Sequence, residues 1–129
     1  MIEIADIEVK LMNYLFSKLP DFESDNIIIK QFGVDTPDKA ILIRREGSAE
    51  KYIYEALDRP RIFVVCRDNT PEKAKELTIR TIKILDNITN TYFDDVKCFY
   101  SELETGPDWL DDPDSKLNQM SMYFNFIIQ

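Results

Sequence analysis

The sequence contains no histidine. That removes the Ser-His-Asp and Cys-His nucleophilic arrangements, and most zinc and non-haem iron sites, which rely on imidazole ligands. Catalysis by carboxylates, Lys, Tyr or Cys is left open. Glycine is nearly as scarce, at 3 of 129 residues, and neither a P-loop nor a G-x-G-x-x-G motif occurs. Loops that approach a phosphate closely through bare backbone therefore have little to work with. Only two cysteines are present, Cys66 and Cys98, without C-x-x-C or zinc spacing. Both fall among apolar neighbours in expected strands, which reads as buried free thiols; a Cys66–Cys98 bridge would need those two strands to be adjacent. No apolar run approaches the roughly 18 residues of a membrane span. The opening Met1-Ile-Glu-Ile-Ala-Asp6 has acids and no basic region, so no signal peptide is expected and a reducing cytoplasm is the expected place of synthesis.

Positive charge is also in deficit. With 16 bases against 24 acids, the net charge of −8 argues against a dedicated nucleic-acid binder, whose phosphate contacts need a basic surface. The imbalance is uneven along the chain. Residues 39–83 hold 11 bases and 7 acids, a balance of +4, whereas residues 94–114 hold 8 acids and only Lys97, a balance of −7. Opposite patches on neighbouring copies would give a head-to-tail contact; uneven surface loops are the plainer alternative.

What is present is enough for one domain over residues 1–129, since 44% of the residues are hydrophobic and 12% aromatic. Ile4, Ile7, Leu11, Tyr14/Leu15 and Leu19 predict a first helix, stopped by Pro20. Strands are expected at Ile27–Phe32, Lys39–Glu46 and Glu50–Ala56, the last two forming a hairpin through Gly47-Ser48. Arg61–Arg67 is apolar on both faces from Ile62 to Cys66, the pattern of a central strand. Thr70 as N-cap and Pro71 at the first helical position then open a long helix, expected to run from Glu72 to about Tyr92 on the stripe Ala74, Leu77, Thr81/Ile82, Leu85, Ile88, Tyr92. Val96–Leu103 reads as a strand and Glu104–Lys116 as an irregular loop, because it contains Gly106, Pro107 and Pro113. Leu117–Ile128 alternates cleanly, with Met120, Met122, Phe124, Phe126 and Ile128 on one face. The expected fold is α+β: a mixed, mainly antiparallel sheet of about five to six strands packed by two helices, in the order αββββαββ.

Few groups suggest chemistry. Arg67 stands before the long helix, where an anion could sit at the helix N-terminus, although a plain capped helix explains the same residues. Asp108, Asp111, Asp112 and Asp114 could hold a hard cation, but they do not match the EF-hand spacing and Pro113 interrupts them. Asp94 and Asp95, taken as neighbours on one strand, would point to opposite faces and could not share a substrate. Trp109-Leu110 is unusual, two large apolar residues among aspartates. They are either a plug folded back on the core or an anchor for a partner.

Three stretches together carry a resemblance. They are the N-terminal amphipathic helix with the short strands after it, the segment Pro60-Arg-Ile-Phe-Val-Val-Cys-Arg-Asp-Asn-Thr-Pro-Glu-Lys-Ala74, and the tail Gly106-Pro-Asp-Trp-Leu-Asp-Asp-Pro-Asp-Ser-Lys116 leading into Met120-Ser-Met-Tyr-Phe-Asn-Phe-Ile127. This pattern resembles the minor capsid and tail-terminator (head–tail joining) proteins of tailed bacteriophages. Asp111 stands where that family often carries Gly. The resemblance implies a structural virion protein, located in the tail or neck and made in the host cytoplasm. Its subunits would form a ring, typically a hexamer, that caps the tail tube and contacts the tube protein and a head-completion or neck protein. DNA would pass the lumen without specific binding, and neither enzymatic activity nor a cofactor is implied. Candidate partner contacts are Trp109, Leu110, Asp111, Asp112 and Arg67. Two other functions fit the residues: a small-ligand or nucleotide-binding domain using Arg67, and an acidic adaptor or inhibitor with a basic target.

Overall fold

The computed structural model describes residues 7–29, 31–33, 35–48, 57–110 and 116–129. Among the described residues, two α-helices and six strands are arranged as α1 (Ile7–Lys18), β1 (Ile27–Ile29), β2 (Ala40–Ser48), β3 (Pro60–Asp68), α2 (Pro71–Leu85), β4 (Thr89–Phe93), β5 (Val96–Leu110) and β6 (Asn118–Ile128). The strands form one sheet in the order β1-β2-β3-β6-β5-β4. Among the described strands only the β1–β2 pair is parallel, so the sheet is mixed and mainly antiparallel, the expected α+β class.

β3 holds the middle of the sheet, as its pattern implies, with β6 beside it. Ile62, Val64 and Cys66 face the helices and are buried, and so are Met120, Met122, Phe124, Phe126 and Ile128 on β6. α2 starts where its signals place it: Thr70 Oγ accepts the Lys73 N–H at 3.2 Å, and Pro71 occupies the first turn. Its buried stripe is Ala74, Leu77, Thr78, Thr81 and Leu85. α1 buries Ile7, Leu11 and Leu15 and packs against β1, β2 and also β4. Touching strands from both ends of the sheet requires the sheet to curl around α1. Aromatic contacts close the curl, with Tyr14 of α1 against Phe93 of β4 at 4.7 Å and Phe93 against Phe126 of β6 at 6.0 Å.

Three expectations are corrected. Gly47-Ser48 is not a hairpin turn: β2 runs on through Ser48, which pairs with Pro60 of β3. The long helix does not reach Tyr92; it ends at Leu85, and Thr89–Phe93 is a strand. Asp86 caps the helix with its N–H on Ile82 O, and Asn87 turns away at φ 57°. The chain is then captured by β5: Ser101 Oγ accepts the Ile88 N–H at 2.9 Å and donates to Leu85 O at 2.5 Å, and the Asp86 carboxylate accepts the Leu103 N–H at 2.8 Å. These tertiary hydrogen bonds outweigh the helical period, which runs on unbroken to Tyr92. The third correction is that Glu104–Leu110 is not a loop. β5 continues to Leu110 through register shifts at Leu103/Thr105 and Thr105/Asp108, with Gly106 at φ 94° and a cis Gly106–Pro107 peptide bond. Pro107 is tolerated because β4 has already ended, so no ladder on that side needs its missing N–H. The expected strand Glu50–Ala56 lies outside the described residues. Asp94 and Asp95 are in the β4–β5 turn, where Asp95 pairs with Lys10 and Asp94 accepts from Asn13 Nδ2 at 3.2 Å, which ties the turn to α1.

Candidate functional site

The feature that stands out is the outer edge of β5. β4 is five residues long and pairs with β5 only between Val96 and Tyr100. Beyond Tyr100, among the described residues, no strand lies along that edge, and residues 104–110 are all exposed. An edge like this presents unpaired N–H and C=O groups to solvent. It ends in Trp109, 53% exposed, and Leu110, 41% exposed. Register places Trp109 opposite Met120, on the helix-bearing face, and Leu110 opposite Gln119, on the other face. The free edge thus carries a large apolar side chain on each face, with Asp108 beside them. Neither side chain is packed into the core as a plug. Asp111 and Asp112 lie outside the described residues.

Arg67 is not part of this surface. It lies on the opposite face of β3 from Cys66 and is nearly buried. Its guanidinium donates to the carbonyls of Thr36 at 3.2 Å, Pro37 at 2.6 Å and Asp38 at 3.3 Å, and stacks over Phe32 at 4.1 Å. Burial lowers the pKa of the guanidinium below its ordinary value. Arg67 fastens the β1–β2 connection to the back of the sheet, and its donors are used there rather than at the start of α2.

The N-terminal end of α2 does border a cavity of about 400 Å³, lined by Asp38, Lys39, Asp68, Lys73, Glu76 and Arg80. Its charges are mixed, and two of its cations are already committed. Arg80 and Lys39 both bind Asp21, at 2.7 and 2.8 Å. Their hydrogen bonds, Arg80 first, hold the Asp21 carboxyl well below the usual carboxylate range. The cavity is therefore bordered by an ion-pair network, not by a set of free cations waiting for an anion.

The helix-free face of the sheet carries a cluster that sequence reasoning missed. Arg44 stacks over Phe63 at 4.9 Å, Phe63 contacts Tyr123 at 4.9 Å, and Arg61 lies over Tyr123 at 3.8 Å. Two carboxylates complete it: Glu46 accepts from Tyr123 Oη at 2.8 Å and from Arg44 Nε at 2.8 Å, and Glu104 accepts from Arg61 Nε at 2.7 Å. The hydrogen bond to Glu46 and burial raise the Tyr123 pKa. The available signal was the alternation of Arg61, Phe63 and Val65 on β3, which leaves cation and aromatic on one face. Its charges pair internally, so it fastens Glu104 of β5 to β3.

Cys66 and Cys98 are both free, fully buried, and on strands separated by β6. Burial pushes both thiols up to about 11. Among the described residues no group of three His, Cys, Asp or Glu side chains is placed to hold a metal ion, and no helix is long and apolar enough to cross a membrane.

No protein-family model matches the sequence, and a search of curated proteins finds no match. Solved structures do match. One chain from the virion of a native gene transfer agent (GTA) particle superimposes with a TM-score of 0.71 at 5% identity, covering 96% of this chain and 98% of that one. At that identity the likeness is one of fold, and it extends over nearly the whole of both chains.

Proposed function

We propose that this chain is a structural subunit of a phage-like virion. Within that class, we read it as a ring-forming protein that caps the tail tube and joins it to the head. The observation that carries the reading is the full-length fold match to a chain of a gene transfer agent virion. The free β5 edge supports it, since an assembly subunit needs a surface that is incomplete without a neighbour. The proposed partners are other copies of the chain, in a ring of about six, the tail tube protein and a neck protein. DNA would pass through the lumen without specific binding, in keeping with the net charge of −8.

The rival reading, a nucleotide or other anion held at the start of α2 by Arg67, lacks its main cation, because Arg67 is engaged by three carbonyls. The test is electron microscopy of the purified protein, alone and mixed with assembled tail tubes, with mass measured by light scattering. Rings, free or seated on tube ends, are the expected result. A monomer at high concentration that leaves tube ends bare would overturn the reading.

A further inference from the structure

The two sides of the sheet are open at the same height. β1 is the outermost strand on one side, and among the described residues no strand lies beyond it. On the other side β4 stops short and leaves β5 open at residues 104–110. Followed across the ladders, Ile28 is level with Leu42, Val65, Ser121 and Asp108, and Ile27 is level with Trp109. One parallel and three antiparallel pairings separate β1 from β5, so the two strands run in opposite directions. The open run of β5 therefore matches β1 in height and has the direction that an antiparallel partner needs.

The two edges also match in composition. β1 is Ile27-Ile28-Ile29, and Ile28 and Ile29 are only half-buried. It carries no charged residue, proline or bulge, the devices that blunt an exposed edge. The open end of β5 is apolar on both faces, through Trp109 and Leu110.

We propose that the open run of β5 in one copy pairs with the outer edge of β1 in the next copy, antiparallel and at the same height, so that the sheet continues across the joint. The occupant is a second copy because the far edge of this same chain fits the open one in height, direction and side chains. Backbone hydrogen bonds hold such a joint, and it needs no complementary charge. In this register Trp109 packs beside Ile27 and Ile29 on the helix-bearing face, and Leu110 lies diagonal to Ile28 on the other. Two different edges meet, so the contact is head-to-tail and can repeat around a ring. It rests on the assembly reading and names the subunit contact within it.

Single-cysteine variants carrying different affinity tags test the joint. Ile28→Cys is mixed with Asp108→Cys or with Leu110→Cys, assembled and mildly oxidised. The native thiols are buried and do not compete. Disulfide-linked pairs with one copy of each variant are expected, and a contact within one chain cannot produce them. Tyr92→Cys, on the exposed edge of β4 at the other height of the sheet, should not link to Ile28→Cys. In the unaltered protein, assembly should slow hydrogen exchange of the outward-facing amides in residues 104–110 by about tenfold or more. Where Ile28→Cys blocks assembly, this exchange measurement decides. Absence of mixed pairs from assembled variants, equal linking by Tyr92→Cys, or no added protection at residues 104–110 overturns the joint while the assembly reading stands. If the unaltered protein does not assemble alone or on tubes, both fail.

Discussion

Replacing Ser101 by Ala should destabilise the protein far more than the loss of one hydroxyl suggests. Ser101 is fully buried. Its Oγ accepts the Ile88 N–H at 2.9 Å and donates to the Leu85 carbonyl at 2.5 Å. Its backbone is equally committed, donating to Ile88 O and accepting from the Asn87 N–H, each at 3.0 Å. The side chain thus satisfies one donor and one acceptor at the point where α2 stops and β4 begins. Alanine would leave both without a partner in a place that water does not reach. Each orphaned group costs about 1–3 kcal/mol, so the expected loss for the two is about 2–6 kcal/mol. For a chain of this size each kcal/mol moves the midpoint of thermal unfolding by roughly 3–5 °C, which predicts a fall of about 6–30 °C. The control is Ser17→Ala, whose exposed hydroxyl donates to Tyr14 O at 2.6 Å. Its expected effect is within about 0.5 kcal/mol. Urea unfolding of both variants gives the difference, and native-state hydrogen exchange locates it, since the Ile88 amide should lose protection in Ser101→Ala. Equal losses in the two variants would refute the claim that Ser101 ends the helix.

Gly106→Ala should cost about 2 kcal/mol or more in the same urea experiment, because the residue sits at φ 94° and a Cβ there would lie 2.7 Å from Ser121 O. Iodoacetamide at pH 8 should leave the folded protein unmodified and add two groups after unfolding, as mass spectrometry will show, because burial holds both thiols near 11. Asp21→Asn should flatten the acid limb of stability against pH. The folded carboxyl is depressed, so its contribution is full above the unfolded value of about 4 and is lost as pH falls below it. The loss at neutral pH should be no more than about 1 kcal/mol, because the ion pairs are solvent-exposed.

The parts of the fold that could be read in advance are those decided by local physics. Thr70 and Pro71 start α2 by capping, and the alternation in Met120–Ile128 marks a strand with one buried face. The end of α2 could not be read, because its stripe passes through Leu85, Ile88 and Tyr92 at helical spacing, and the group that interrupts it is Ser101 on another strand. β5 was cut short for a related reason. Gly106 and Pro107 are breakers in a strand flanked on both sides, yet they are admissible in one whose outer side is open. Whether that side is open cannot be known from residues 104–110 themselves.

The candidate surface follows the same division. Trp109-Leu110 among aspartates stands out as an anomaly, and Ile79 is an apolar residue off the stripe of its helix. Neither observation identifies a surface alone. A strand's pattern records what its two faces meet, whereas an open edge depends on the length of a different strand. Here that strand is β4, at five residues against fifteen for β5. β4 is short because the chain leaves α2 at Asp86 and turns into the core at Phe93. Asp86 and Ser101 set the first limit, and the stacking of Phe93 on Tyr14 sets the second. The hydrogen bonds that end the helix therefore also fix how much of β5 remains uncovered. A variant that let α2 run on toward Tyr92 would remove β4 and change the extent of the free edge without touching Trp109.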